Sequence, residues 1–385
     1  VPQGAHRMLR LAELGRAQRE EWLSSLRSPG EHQARALRQL LPFYSRTRYG
    51  RERGLSPSLS YGEYASRSPV TSYRELEPLI ARELGGDRGT ILGEEVVAVG
   101  VTSGTSGEPK LIPITPTDLT LRMKVMLAGV AHISERFGSG ALSEPLIVRF
   151  PTCVYAESSL KFCHTSGLLE LVLRSLLTGI PVAELLEAAQ VEPVPEARGD
   201  YARLFEATYE SFKDLDLRLA VGSAPALLLF AWHLRRRHSL LPKDLWDVRV
   251  IMATGVPYIH DFYEEPLLRA YGDQASVIEL YGATEALIAM QAGEEPYVSP
   301  FYNCYPLEVE TGCGVKPLHE LESGEVGALV VSTPALPRYR LGDLVECVEE
   351  GRLFKVHGRS TLATRLRVSV ERLLGRVLDT IAKAL

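Results

Sequence analysis

Residues 102–110 read Thr-Ser-Gly-Thr-Ser-Gly-Glu-Pro-Lys, and the runs on either side decide how the chain folds around them. Upstream, 96–101 (VVAVGV) is an apolar β-type run; downstream, 111–114 (LIPI) is another. The loop therefore joins two strands. Gly104 and Gly107 let backbone N–H groups approach an anion closely, and the hydroxyls of Thr102, Ser103, Thr105 and Ser106 add donors. Lys110 closes the loop with a compact positive charge. A polar surface turn would have the same composition, so the loop alone leaves both readings open. A Walker loop requires G-x-x-x-x-G-K-S/T running from a strand into a helix. Here the spacing is G-x-x-G-x-x-K, and no Ser or Thr follows the lysine. A helix is expected only from 115 on, with Thr115 as N-cap, Pro116 at the first helical position and Asp118 in the first turn. The loop would thus drape over phosphates as a flap, and Walker-type phosphoryl transfer is disfavoured.

A second segment, Tyr281-Gly282-Ala283-Thr284-Glu285, follows a βαβ pattern. Residues 248–253 form a short apolar strand, 254–257 turn, 260–271 carry helical periodicity and 276–280 form the next strand. The segment falls at the carboxyl end of a parallel strand, where open α/β sheets bind ligands. Glu285 there is either a solvated loop acid or an oxygen ligand for Mg²⁺ shared with substrate phosphates. A third segment, 338–343 (RYRLGD), lies between β-rich runs at 326–332 and 344–348. Asp343 is then a turn residue before a strand, or a carboxylate that accepts both ribose hydroxyls of a nucleotide.

The ordered set T-S-G-T-S-G-x-P-K, Y-G-A-T-E and Y-R-x-G-D resembles the adenylate-forming superfamily of acyl-CoA synthetases, adenylation domains and luciferases. Within it the chain is similar to the auxin-responsive Gretchen Hagen family of acyl-acid amido synthetases. Lys110 is followed by Leu-Ile-Pro as in that family, where acyl-CoA ligases usually have glycine. Residues 41–54 (LPFYSRTRYGRERG) are similar to its T-x-Y-G-x-x-x-G segment, and 69–82 (PVTSYRELEPLIAR) to its P-V-x-x-Y-x-x-x-x-P-x-I-x-R pattern. The resemblance runs over residues 35–360.

The resemblance implies roles position by position. The loop, through Thr102, Ser103, Gly104, Thr105, Ser106, Gly107 and Lys110, would contact the triphosphate of ATP or the released pyrophosphate. Tyr281, Gly282, Ala283, Thr284 and Glu285 would form the second nucleotide motif, with Lys110 and Glu285 catalytic and Glu285 on Mg²⁺. Asp343 would bind the ribose and Gly255 would lie beside the adenine. The implied chemistry is attack of a substrate carboxylate on the α-phosphorus of ATP, which needs alignment and charge neutralisation rather than a general base. An amine or amino acid then takes the acyl group to give an amide. A CoA ligase of the same superfamily, and a nucleotide-binding remnant without catalysis, are the alternatives.

The fold class implied is α/β: a large N-terminal adenylate-forming domain over 1–358, with helix-covered sheets and a β-rich subdomain, and a hinge with a truncated C-terminal domain over 359–385. Residues 354–370 resemble the superfamily's G-R-x-x-D hinge at Gly358 and Arg359, but Ser360, Thr361 and Leu362 stand where an acid is expected. Only 26 residues follow Arg359, fewer than the roughly 100 of a compact mobile domain. Lys383 is the one lysine left there for the family's C-terminal lysine, and Val1 stands where a chain start would have Met. That domain is therefore either beyond the sequence or reduced; in the second case the amide-forming step is in question.

Composition agrees with a cytoplasmic enzyme. Net charge is −5, with 43 Lys and Arg against 48 Asp and Glu, so no basic field invites nucleic acid. Five cysteines without a C-x-x-C pair suit a reducing compartment. No run of 18 apolar residues or signal peptide suggests a membrane. The first 40 residues read as helical, broken at Ser28-Pro29-Gly30; 117–136 and 160–177 read as long helices, and 191–199 (VEPVPEARG) as a Pro-rich boundary loop. Strands at 146–150, 218–222, 248–253 and 276–280 alternate with helices, which argues for parallel sheets, and the last third turns to a smaller antiparallel sheet or barrel. Residues 150–159 would line the acid pocket or form an ordinary loop. His164 and His260 read as possible bases or as satisfied structural histidines, 297–308 as an aromatic run near the ligand or as packing, and 235–238 (RRRH) as a solvated helix end.

Overall fold

The computed structural model describes residues 3–102, 109–143, 145–148, 152–157, 160–192 and 198–368. In chain order its strands are β1 (Ala98–Val101), β2 (Leu111–Ile114), β3 (Leu146–Ile147), β4 (Cys153–Glu157), β5 (Leu160–His164), β6 (Leu219–Ser223), β7 (Val250–Thr254) and β8 (Ser276–Gly282). There follow β9 (Leu287–Met290), β10 (Ser299–Pro300), β11 (Leu307–Thr311), β12 (Gly314–Pro317), β13 (Val326–Val331), β14 (Tyr339–Glu349) and β15 (Leu353–Arg359). They make three sheets, in the orders β2-β1-β5-β4, β10-β9-β8-β7-β6-β3 and β12-β11-β13-β14-β15.

The α/β class expected from the motifs is the class observed. The βαβ unit is present: β7 and β8 pair in parallel and are joined by a π-helical turn, Ile259–Tyr263, and the helix Glu264–Tyr271. Parallel pairing also joins β3, β6 and β7, but β9 and β10 add antiparallel edges, and the first sheet is mixed. The last sheet is antiparallel throughout, as the β-rich final third predicted.

Helix Pro116–Phe137 starts as read, with the Thr115 hydroxyl accepting from the Asp118 N–H at 3.3 Å. The helix expected over 160–177 is corrected at its start. Leu160–His164 is a strand, held between β1 and β4 with Phe162 opposite Val99, and the helix occupies Thr165–Thr178. Two apolar side chains two apart, Leu160 and Phe162, carried a strand signal that the longer apolar run hid. At the N-terminus the helices Gln3–Leu14, Arg16–Ser25 and Pro29–Arg46 replace the two expected; Gly15 marks the extra boundary while staying near helical geometry. Of the Pro-rich boundary, Val191 bridges to Cys153, 193–197 lie outside the described residues, and helix Arg198–Phe212 begins at 198.

Long-range ties bind the N-terminal helices to the last third of the chain. The buried Trp22 donates to the Pro300 carbonyl at 3.1 Å and packs on Phe301. Arg338, at a left-handed φ of 42°, sends its guanidinium into Glu308 as a bidentate pair (2.9 and 2.7 Å) and to the carbonyls of Ala65 and Ser68 (both 2.7 Å). Thr71 then pairs with Tyr339 like an added strand: its N–H donates to the Arg338 carbonyl at 3.0 Å and its carbonyl accepts from Arg340 at 2.8 Å. The segment 69–82 thus has a structural job. Thr71 docks on β14, and the Ser72–Glu75 capping box opens helix Tyr73–Leu84.

Candidate functional site

β1 and β2 pair antiparallel with Val101 opposite Leu111, so residues 102–110 close a hairpin. Thr102 clamps its base: its N–H donates to the Lys110 carbonyl at 3.1 Å, and its hydroxyl accepts from the Lys110 N–H at 2.9 Å. That hydroxyl holds the loop's base while keeping its own proton for donation. Ser103, Gly104, Thr105, Ser106 and Gly107, expected to contact phosphates, lie outside the described residues.

Lys110 reaches across to β14 and to helix Tyr73–Leu84. Its Nζ donates to the Tyr339 hydroxyl at 3.0 Å and lies 5.6 and 5.7 Å from the ring centres of Tyr73 and Tyr339. The Tyr73 hydroxyl in turn accepts from the Leu111 N–H at 2.8 Å, fixing β2 next to the lysine. Partial burial lowers the Lys110 pKa; Glu285 and Asp343 nearby oppose that, while Arg359 adds to it. The first motif therefore meets the third at this ammonium, within the field of Glu285 from the second.

The second motif begins in the last two residues of β8 and continues as a tight turn, closed by the Ala283 N–H donating to the Ala286 carbonyl at 2.8 Å. Thr284 is held from three sides. Its carbonyl accepts from Arg122 at 2.8 Å, its hydroxyl accepts from Thr165 at 2.9 Å, and its methyl fills the space over Gly100, where a Cβ would come within 2.7 Å of it. Only glycine at position 100 lets β1 lie this close. Arg122 is itself fixed by a buried ion pair with Asp118, Nε to Oδ2 at 2.6 Å. Glu285 is 2 % exposed, and its Oε1 has no hydrogen-bond partner among the described residues.

The third motif differs from expectation in one respect. Asp343 lies inside β14, opposite Arg359, and not in a turn ahead of a strand. Gly342 before it has φ 86°, and the β14–β15 register shifts at Leu344 and Val345. A turn-like sequence thus sits within a continuous but irregular strand. Asp343 accepts from the Tyr281 hydroxyl at 2.8 Å and pairs with the Arg359 Nε at 3.4 Å. This joins the second motif to the third. Burial, followed by the Asp343 charge, pushes the Tyr281 pKa well up, so its hydroxyl stays a donor. A carboxylate offers about four acceptor positions, so Asp343 retains capacity for a diol beyond these two partners.

Gly255 follows β7 at φ 85°, and a Cβ there would come within 2.9 Å of Ser223 at the end of β6. It lies at the carboxyl ends of adjacent parallel strands, as does the second motif. Pro257 closes on Gly358 of β15, and the Tyr258 hydroxyl bonds His357 at 2.7 Å, whose other nitrogen meets Glu346 at 2.8 Å. The site is therefore placed where the carboxyl ends of β6–β8 meet the β14–β15 pair.

Other expectations resolve into packing. Of 150–159, Cys153–Glu157 form β4 of a hairpin with β5, with Tyr155 stacked on Phe162 at 4.1 Å; 150, 151, 158 and 159 lie outside the described residues. His164 occupies the position before the next helix, with no cap bond from its side chain, and His260 is bonded by Glu264 (2.8 Å) and Gln291 (3.0 Å). Phe301, Tyr302 and Tyr305 are buried in the core, and Arg235, Arg236 and Arg237 are exposed at the end of helix Ala224–His238. Sequence reasoning gave no role to Tyr339, Tyr73, Thr165 or the Arg122–Asp118 pair. Tyr339 and Tyr73 lie within the Y-R-x-G-D motif and the 69–82 segment, and their aromatic rings beside a loop lysine were the one signal present. Thr165 and Arg122 had none.

Among the described residues no helix is long and apolar enough to cross a membrane. Residues 18–147 match the GH3 family N-terminal domain. A curated relative, the indole-3-acetic acid-amido synthetase GH3.8 of Oryza sativa subsp. indica, is 37 % identical over 92 residues, which span 23 % of this chain and 15 % of the rice protein. The fold matches that of the solved acyl acid amido synthetase AtGH3.15 in complex with 2,4-DB, at TM-score 0.70 and 17 % identity, over 89 % of this chain and 71 % of that one. It also matches a 2-hydroxyisobutyryl-CoA ligase solved with 2-HIB-AMP and CoA, at TM-score 0.56 and 16 % identity, over 86 % and 74 % of the two chains.

Proposed function

We propose that this chain, which carries a GH3 family domain on an adenylate-forming ligase fold, activates a small carboxylic acid with ATP and passes the acyl group to an amine or amino acid. The observation that carries this reading is the meeting of three distant motifs at one place: Lys110 against Tyr339, and Tyr281 against Asp343. In the first step a carboxylate oxygen of the acid attacks the α-phosphorus. The bond to the bridging oxygen breaks, and pyrophosphate leaves. The attacking group is already an anion, so the site must align it and offset the phosphates' charge. Lys110 and the loop hydroxyls of Ser103, Thr105 and Ser106 serve the triphosphate, Tyr281 and Thr284 line the nucleotide, Asp343 takes the ribose and Gly255 borders the adenine. In the second step the amine attacks the acyl carbon and AMP departs.

The unpartnered, buried Glu285 oxygen is a hard donor of the kind Mg²⁺ takes, and Glu285 would hold that ion. When bound, Mg²⁺ supplies neutralisation of phosphate charge. The adenylating unit runs over 1–358, with Arg359 as the hinge that begins the remainder to 385. A cytoplasmic setting suits the five free thiols.

A second acceptor, CoA, is favoured by the likeness to the CoA ligase fold. Pyrophosphate release measured across a panel of carboxylic acids, with amino acids or CoA added in turn, tests the proposal. Acid-dependent release with amide product is expected, and thioester product would assign the CoA reading. Silence across the panel from a protein that still binds ATP would overturn a ligase altogether. Glu285→Ala should abolish Mg²⁺-dependent release with the fold intact, and retained turnover would remove its metal role.

A further inference from the structure

We propose that Glu206, His233 and His238 form a site for one Zn²⁺ ion that clips helix Arg198–Phe212 to helix Ala224–His238. The three side chains lie on these two helices, and none of them belongs to the nucleotide site. Each offers one ligand atom, and these atoms all lie within 4.8 Å of one another. The His233 Nε2 is 2.9 Å from Glu206 Oε2, and the His238 Nε2 is 3.1 Å from Glu206 Oε1. A tetrahedral zinc site with bonds of about 2.0–2.1 Å separates its ligand atoms by roughly 3.4 Å. To the single oxygen Glu206 Oε2 the two imidazole nitrogens lie at 2.9 and 3.2 Å, so these two gaps need to open by a few tenths of an ångström, while the two nitrogens, no more than 4.8 Å apart, settle to the same spacing by small ring rotations.

The rings are braced from behind. Phe205 packs on His233 with centroids 5.7 Å apart, and Tyr209 on His238 at 4.2 Å. Five residues apart on a regular helix, the two histidines would point about 140° away from one another. His238 is the last residue of its helix, just before Ser239 at a left-handed φ of 60°, and there the ring turns back toward Glu206. The side chains of His233, His238 and Glu206 are 12 %, 22 % and 36 % exposed, so an ion can enter and a water can take the fourth position. Two imidazole nitrogens and one carboxylate oxygen select zinc over the oxygen-seeking Mg²⁺ and Ca²⁺. The site is independent of the ligase reading, and its test uses no nucleotide.

Metal-free protein titrated with zinc chloride should bind one equivalent per chain and melt at a higher temperature when loaded. Loss of even an outer partner of a metal ligand costs roughly 10–100-fold in affinity, so His233→Ala or His238→Ala should weaken binding at least that much. Cobalt(II) in place of zinc should give visible bands of a four-coordinate nitrogen and oxygen site, a readout that holds even if a variant fails to fold. No saturable binding at micromolar zinc, or affinity unchanged in the folded double-alanine variant, would overturn the proposal. Thiolate charge-transfer bands would do so too, by placing the metal on a cysteine; a plain His–Glu–His hydrogen-bond cluster would then be all that these residues form.

Discussion

Lys110 is held between two tyrosine rings, and its ammonium spends one donor on the Tyr339 hydroxyl. Tyr339 therefore sets where the Lys110 charge points. Tyr339→Phe keeps the ring and removes the acceptor. A hydrogen bond to a charged group is worth about 1.5–3 kcal/mol, so pyrophosphate formation should fall by roughly tenfold or more while ATP still binds. An unchanged rate would show that the lysine is positioned by other contacts. Asp343→Ala should weaken ATP binding by the same 1.5–3 kcal/mol, roughly 10- to 150-fold in a calorimetric Kd, and normal affinity would end its ribose assignment. At this scale the sequence singled out Lys110, Glu285 and Asp343 as candidates because their motifs have order and spacing. It did not show what orients them. Tyr339 is 229 residues from Lys110, and no local pattern encodes such a pairing.

The same contrast holds for whole elements. The hairpin of β1 and β2 was legible because two apolar runs flank a loop and a capped helix follows. Its placement against the second motif was not, since that rests on the missing side chain of Gly100. Gly100→Ala would put a methyl 2.7 Å from the Thr284 Cγ2. Overpacking of this kind costs about 1–3 kcal/mol, and urea unfolding should report it together with a drop in adenylation, as β1 and the turn move apart. Stability and activity both unchanged would mean that the contact relaxes freely. The strand at Leu160–His164 was read as helix because its apolar run continues into one; only pairing with β1 and β4 separates them. Asp343 was read as a turn residue because Gly342 beside it signals one, while the ladder with β15 carries the strand across the irregularity.

Across the whole molecule, two buried groups titrate against one another. His132, against Trp22, is held neutral by burial and by Arg19 and Arg136, with its pKa lowered from 6.5 to about 4. Glu279 in β8 is held protonated by burial and by Asp261, with its pKa raised from 4.5 to about 7. The His132 contribution is present above pH 6.5 and is lost as pH falls toward 4; the Glu279 contribution is present below 4.5 and is lost as pH rises toward 7. Each is worth about 3 kcal/mol. Their slopes oppose, so the wild-type Tm should vary little from these two groups between pH 4.5 and 6.5. Glu279→Gln should leave a Tm that climbs with pH over that window, and His132→Gln one that declines. Parallel profiles for the two variants would refute the pairing of effects. The Arg338 anchor has a consequence in time. Ala65, Ser68 and Thr71 finish their bonding only on residues 338–340. At about 5–20 residues per second, a ribosome delivers that partner roughly 15–50 s after the helices that wait for it. Through that interval the nascent chain displays an incomplete N-terminal surface, and a holdase or a slowed codon stretch acting there would set the yield of folded protein.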